Sequence, residues 1–254
     1  MKKTYDVRGI RIGEGRPKII VPIVGKDIQS ILDKAKSFDK SPIDIVEWRA
    51  DFYEDAYNIN KVLETLVRLR KTLCNTPILF TFRTKNEGGE KNISLEEYTR
   101  LNKEVAASGN ADLIDVEMFS DLDVVIENIT NIHSYEVLVV GSNHDFNMTP
   151  SKEDILNRLI KMQELGADIP KIAVMPKNTK DVLKLLSATE EMYSHHADRP
   201  IVTMSMGATG LVSRLTGETF GSCMTFGAVG QVSAPGQIPV EKLNLILNII
   251  TESM

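Results

Sequence analysis

The chain of 254 residues is poor in the residues that announce specialised chemistry: it has two cysteines, one tryptophan and four histidines. Cys74 and Cys223 lie far apart and neither belongs to a CxxC, which excludes a disulfide framework; buried free thiols in a reducing cytoplasm are expected. The four histidines form no HxH or HExxH pair, so a metal centre is not expected. No apolar run approaches the roughly 20 residues of a membrane span. The two lysines of the opening MKKTYDVRGIRIGEG precede no apolar segment, so neither a signal peptide nor a membrane anchor is expected. Glycine-rich phosphate loops, dinucleotide fingerprints and the GxSxG nucleophile elbow are also missing. The 30 basic residues are dispersed among 35 acidic ones, for a net charge of -5, and leave no basic stripe for nucleic acid.

What is present is ordinary in amount and ordered in arrangement. With 42% hydrophobic and 26% charged residues the composition is that of a globular protein, and α/β barrels of roughly 200 to 250 residues fold as one domain. Eight short β-branched or aliphatic runs read as strands: 18–25, 44–52, 77–84, 111–119, 136–146, 170–176, 200–207 and 223–230. Amphipathic stretches separate them. SLEEYTRLNKEVAASG (94–109) opens on a Ser-x-x-Glu capping box and ends in glycine, and TPSKEDILNRLIKMQELG (149–166) opens on Ser-x-x-Asp and ends likewise. Connections of this length suit parallel crossovers and not hairpins. Eight such units, with no phosphate turn after the first, predict a closed (β/α)8 TIM barrel over residues 1–254. Residues 4–16, with Gly9 and Gly13, are expected to form a short N-terminal hairpin across the barrel bottom.

Barrel sites are built where the strands end, from side chains that alternate inward. In DIVEWRADF the set Ile45, Glu47, Arg49 and Asp51 alternates with Val46, Trp48 and Ala50. Leu79, Thr81 and Arg83 share a face of the next run, SNHDF brings His144 to a strand terminus, and Lys171 shares a face with Ala173 and Met175. Met204 and Met206 alternate on the seventh strand. Any one of these charges alone reads as a solvated strand end, and each methionine as core. Glu47, Arg49, Arg83, His144 and Lys171 together fall where one barrel mouth collects them.

A lysine inside a barrel is a chemical resource. At a free pKa of about 10.4, roughly one amine in two thousand is neutral at pH 7; desolvation and neighbouring cations can lower that pKa and make the amine a nucleophile toward a ketone. The resulting protonated imine acidifies the adjacent C–H. A histidine suits the proton transfer, a carboxylate would orient its ring, and arginines would hold an anionic substrate. The parts describe imine-forming lyase chemistry on an anionic keto compound. Dehydration and aldol cleavage both remain open on these grounds, as does a catalytically silent binding barrel.

Six fragments carry a more specific likeness: VEWRADF (46–52), LFTFRTKNEGGE (79–90), SNHDF (142–146), KMQELGADIPKIAVMP (161–176), TMSMGATGLVSR (203–214) and TFGAVGQVSAPGQI (225–238). In order and spacing the chain resembles the type I 3-dehydroquinate dehydratases of the shikimate pathway. The resemblance implies syn elimination of water from 3-dehydroquinate through an imine on Lys171, with His144 as general acid and base and Glu87 orienting it. It further implies that Glu47, Arg49 and Arg83 bind ring hydroxyls or polarise the site, and that Arg214, Ser233 and Gln237 grip the carboxylate and hydroxyls. Met204 and Met206 would line the pocket, and Trp48, Phe226 and Ala234 complete the expected substrate contacts. The segment VSAPGQI would lie over the ligand. A homodimer in the cytoplasm, working without metal or organic cofactor in aromatic amino acid biosynthesis, is implied as well.

Overall fold

The computed structural model describes residues 2–230 and 238–254. Two short strands, β1 (Tyr5–Val7) and β2 (Ile10–Ile12), pair antiparallel. Then come β3 (Lys18–Ile23), α1 (Ile28–Lys36), β4 (Ile45–Arg49), α2 (Ile59–Leu73), β5 (Ile78–Thr81), α3 (Leu95–Ala107), β6 (Leu113–Glu117) and α4 (Leu122–His133). The second half runs β7 (Leu138–Asp145), α5 (Lys152–Glu164), β8 (Ile169–Val174), α6 (Thr179–Glu191), β9 (Val202–Ser205), α7 (Leu211–Leu215), α8 (Gly217–Phe220), β10 (Met224–Phe226) and α9 (Val240–Ser253).

Strands β3 to β10 form one parallel sheet in the order β10-β3-β4-β5-β6-β7-β8-β9. The sheet closes on itself through a parallel bridge between Ile201 and Ser222, where the Cys223 amide donates to the Ile201 carbonyl at 2.9 Å. This is a (β/α)8 TIM barrel; seven of its strands lie inside the runs read from the sequence, and β8 starts one residue before the run 170–176, at Ile169. The capping signals act as expected: Ser94 accepts from the Glu97 amide and Ser151 from the Asp154 amide, each such cap being worth about 1 kcal/mol.

Alternation along the strands divides the apolar side chains between two cores. Val46, Trp48, Phe80, Ile114, Ile172 and Val174 face outward and pack beneath the helices. Ile20, Ile45, Leu79, Leu113, Val140 and Ile169 face inward at the N-terminal end of the barrel. Val7 and Ile12 of the β1–β2 hairpin join this inner cluster, so the hairpin stops the barrel bottom as expected from residues 4–16.

Three aspartates secure the strands at the same end. Asp44, Asp112 and Asp168, just before β4, β6 and β8, accept the amides of Ile19 at 2.7 Å, Ile78 at 2.8 Å and Val139 at 2.8 Å on the preceding strands. Each carboxylate also meets a basic group: Arg16, then Arg8 and Arg70, then His133.

One thiol departs from expectation. Cys74 is exposed, because it ends α2 in a positive-φ conformation with the chain turning away into solvent. Cys223 is partly covered, and burial pushes its thiol up to about 12.

Candidate active site

At the C-terminal end of the barrel the inward positions turn polar. Glu47 is 4% exposed and accepts from the Thr81 hydroxyl at 2.9 Å. Arg49 at the end of β4 forks onto Asp51, with Nε and Nη2 both at 2.8 Å. Asp51 is fully buried in a 3-10 turn (Ala50–Phe52) and also accepts the Arg83 and Glu90 amides. It therefore binds the end of β4 to the loop that follows β5.

Arg83 is the electrostatic hub. Its Nη2 lies 2.8 Å from Asp115, while Nη1 meets Ser142 at 2.9 Å, Glu117 at 3.2 Å and Glu87 at 3.4 Å. Burial works against the charge, but the three carboxylates outweigh it and raise the guanidinium pKa. An arginine so surrounded is a fixed cation, since its planar fork is held from several directions.

Glu87 reaches His144 through a 3-10 turn (Lys85–Glu87) that ends on Gly88 in the left-handed region. Both glycines of EGGE are needed for this approach. A side chain at Gly88 would strike the Phe146 ring, and one at Gly89 would sit 1.9 Å from the Arg83 carbonyl oxygen. Glu87 Oε2 takes the His144 amide at 3.0 Å and lies 2.9 Å from Nδ1, while Oε1 accepts from Asn143 at 3.1 Å. In its ionised form Glu87 can only accept, so the shared proton then sits on Nδ1 and leaves Nε2 with its lone pair. Burial, reinforced by Arg83, Lys171 and Arg49, holds His144 well below 6.5. Burial likewise pushes Glu87 up to about 7 against the pull of Arg83. His144 is accordingly a neutral base at pH 7.

Lys171 occupies the layer between these groups. It is 3% exposed, and its Nζ lies 3.2 Å from Asp115 Oδ2 and 5.1 Å from the centre of the Phe226 ring. The register places Ser142 directly opposite it on β7. Ala173, one inward position further along, is small and leaves the amine open toward the mouth.

A cavity of about 190 Å³ collects these residues. Glu47, Arg49, Arg83, Glu87, His144 and Lys171 line one part of it; Met204, Met206, Arg214 and Phe226 line the rest. Arg214 is mostly buried, with its Nε lacking a hydrogen-bond partner among the described residues, and burial lowers its pKa. Among the described residues its Nη1 meets only the Met204 sulfur, at 3.8 Å. A guanidinium held in this way is suited to receive an anion. Among the described residues no three His, Cys, Asp or Glu side chains are grouped to hold a metal ion.

Of the residues singled out from the sequence, the structure brings Glu47, Arg49, Arg83, Glu87, His144, Lys171, Met204, Met206, Arg214 and Phe226 around one cavity. The exception is Trp48, which does not reach the cavity. It is 0% exposed and lies on the outward face of β4, packed on Phe80 and Tyr53, because it stands at an even step from Val46 and an odd step from Glu47. Ser233, Ala234 and Gln237 lie outside the described residues. The sequence reading missed Asp115, Glu117 and Ser142. The signal was available in ADLIDVEMF, where Leu113, Asp115 and Glu117 alternate inward as Leu79, Thr81 and Arg83 do.

A family model described as type I 3-dehydroquinase matches residues 19–254. The 3-dehydroquinate dehydratase of Clostridioides difficile strain 630 is 55% identical over 254 residues, 100% of both chains. That of Escherichia coli O17:K52:H18 is 51% identical over 251 residues, covering 99% of this chain and 100% of its own. A crystal structure of the type I enzyme from Clostridium difficile, with covalent modified comenic acid, superposes with a TM-score of 0.98 at 55% identity over 100% of both chains. The Enterococcus faecalis 3-dehydroquinate dehydratase structure gives a TM-score of 0.90 at 43% identity, covering 96% of this chain and 98% of that one. With the family model spanning most of the chain and relatives matching it end to end, this chain belongs to the type I 3-dehydroquinase family.

Proposed function

We propose that the protein dehydrates 3-dehydroquinate to 3-dehydroshikimate through an imine on Lys171. The observation that carries this reading is the joint placement of a buried lysine amine and a neutral histidine in one cavity, with Glu87 on the far nitrogen of that histidine. The substrate carboxylate pairs with Arg214, the cation that lacks a carboxylate partner among the described residues. Glu47, Arg49 and Arg83 face the ring hydroxyls, and Met204, Met206 and Phe226 pack on its apolar faces. The amine attacks the ketone, a C–N bond replaces the C–O bond, and the ketone oxygen leaves as water. His144 Nε2 then takes a proton from the carbon beside the imine, and the electron pair moves onto the nitrogen. The same imidazolium returns its proton to the departing hydroxyl on the same ring face, which makes the elimination syn. Water finally hydrolyses the conjugated imine and frees Lys171.

An aldol cleavage would also use an imine, but the relatives carry the dehydratase name, and among the described residues Arg49, Arg83 and Lys171 are each paired with a carboxylate, which leaves Arg214 alone to grip a phosphate. Ser233, Ala234 and Gln237 complete the substrate contacts in this proposal. The enzyme acts as a cytoplasmic homodimer; among the described residues no helix is long and apolar enough to cross a membrane.

The test is borohydride trapping with 3-dehydroquinate, followed by peptide mass mapping. A reduced adduct on Lys171, together with growth of enone absorbance in the untreated reaction, is expected. Enone growth with no adduct would overturn the imine, and absence of both would overturn the activity.

A further inference from the structure

We propose that Asp115 is the resident counter-ion of the Lys171 nitrogen, neutralising the ammonium before substrate arrives and the iminium after it forms. This rests on the imine chemistry assigned above and goes beyond it by naming the group that holds the charge.

The geometry separates Asp115 from every group that meets substrate. It is 1% exposed and is not part of the cavity wall. On β6 it pairs with Val140, two residues before Ser142, and Ser142 is the residue opposite Lys171. By register Asp115 therefore stands one inward step below Lys171, at the lower edge of the charged layer. A ketone reaches Nζ from the mouth, and the carboxylate reaches it from below.

The carboxylate is fixed and aimed. Ser142 donates to Oδ1 at 2.6 Å and Arg83 Nη2 lies 2.8 Å from the same oxygen, leaving Oδ2 toward Lys171 at 3.2 Å. Among the described residues no other carboxylate lies within ion-pairing distance of Nζ. Burial would raise the Asp115 carboxyl, but Arg83 and Lys171 outweigh it and hold it below the ordinary carboxylate range, so it stays ionised.

The proton count explains why such a group suits this reaction. An ammonium and a ketone give an iminium and water. Two of the three N–H protons leave with the ketone oxygen, the C–N bond forms, and the nitrogen keeps one positive charge. A buried cation is disfavoured without a partner, and here one partner serves both species. An iminium that lost its proton would be a weak electron sink, and His144 could not then remove the adjacent proton. When His144 does so, the nitrogen becomes neutral and Arg83 continues to balance Asp115. The deep position also denies Asp115 a role as a second base, since it cannot touch the carbon skeleton.

The variant Asp115→Asn keeps the shape but turns an N–H toward Nζ. Turnover should fall about 10²-fold or more, as when other preorganised electrostatic partners are removed. The alkaline limb of kcat, and that of borohydride trapping on Lys171, should both move to lower pH by about one to three units, because hydride reduces an iminium faster than a neutral imine. Asp115→Glu should restore part of the original limb. A loss equal at all pH values with unmoved limbs, or turnover within about threefold of the parent, would overturn the proposal.

The unaltered enzyme supplies a second measurement if Asp115→Asn does not fold. With substrate and product at equilibrium, the C=N stretch of the bound imine at pH 9 should shift on transfer to deuterium oxide, which requires a proton on nitrogen. An unshifted stretch overturns the counter-ion. Failure of the parent enzyme to form any Lys171 adduct is a different result, and it removes the imine reading itself.

Discussion

Five inward positions of the barrel change character over a single two-residue step. Ile45 is followed by Glu47, Leu79 by Thr81, Leu113 by Asp115, Val140 by Ser142, and Ile169 by Lys171. At about 3.3 Å per residue that step is roughly 7 Å. The lower layer is apolar and stoppered by Val7 and Ile12; the upper one holds a connected set of buried charges centred on Arg83. The difference shows how one alternation serves two purposes. The apolar layer fixes the radius and tilt of the barrel, and the layer above inherits that rigidity, so its charged groups meet at hydrogen-bonding distance without flexible side chains having to find one another.

The two layers should fail differently. His144→Ala should lower turnover by about 10² to 10⁴-fold, the range for loss of a general acid–base group, while leaving the melting temperature nearly unchanged and borohydride trapping on Lys171 intact. Near-normal turnover would remove His144 from the proton transfer. Ile12→Ala, in the stopper, should do the reverse. A fully buried Ile truncated to Ala costs about 2 to 5 kcal/mol of stability, measurable by urea unfolding, with kcat per folded molecule preserved. If kcat fell in proportion to stability, the layers would not be separable.

The charged layer also has a signature in the pH dependence of stability. Glu87 is raised from 4.5 to about 7 on folding, so the folded state holds its proton more tightly and this contribution is lost as pH rises from 4.5 through about 7. His144, held well below 6.5, acts in the opposite sense, with stability lost as pH falls below 6.5. The two oppose one another between 4.5 and 6.5. Glu87→Gln removes the first, so unfolding free energy at pH 8 relative to pH 5 should become more positive than in the parent, by roughly 2 to 3 kcal/mol. An unchanged difference would mean that Glu87 ionises at its ordinary value. The smallest expected effect is in thiol labelling. At pH 8 iodoacetamide should modify exposed Cys74 well before Cys223, whose thiol is pushed up to about 12 at the barrel bottom; equal rates would show that the lower end opens readily.

Much of this contrast was legible in the sequence because period-two alternation needs no tertiary information. The inward assignment of Glu47, Arg83 and Lys171 follows from it, while the eight runs came from their β-branched and aliphatic content and the stopper at 4–16 from Gly9 and Gly13. The same rule already put Trp48 with Val46 and Ala50 on the outer face, so its inclusion among substrate contacts conflicted with the alternation and gave way to it. Asp115 was harder to find. Alternation gives the side of the sheet but not the partner across it, and the Asp115–Lys171 pair spans β7 through Ser142, a matter of register that one chain does not display. Cys74 was assigned by the average habit of free thiols, which says nothing of the positive-φ turn that exposes it.

The aspartates before β4, β6 and β8 act as registration marks for the whole frame. Each catches one particular amide on the strand before it, and a slip of one residue would turn every side chain of that strand to the opposite face. An insertion inside any of these strands would therefore swing a charge such as Lys171 or Glu47 out under the helices, whereas one in a loop beyond the mouth leaves the marks aligned. Variation in this scaffold is steered by that asymmetry toward the ends of the strands where substrate enters.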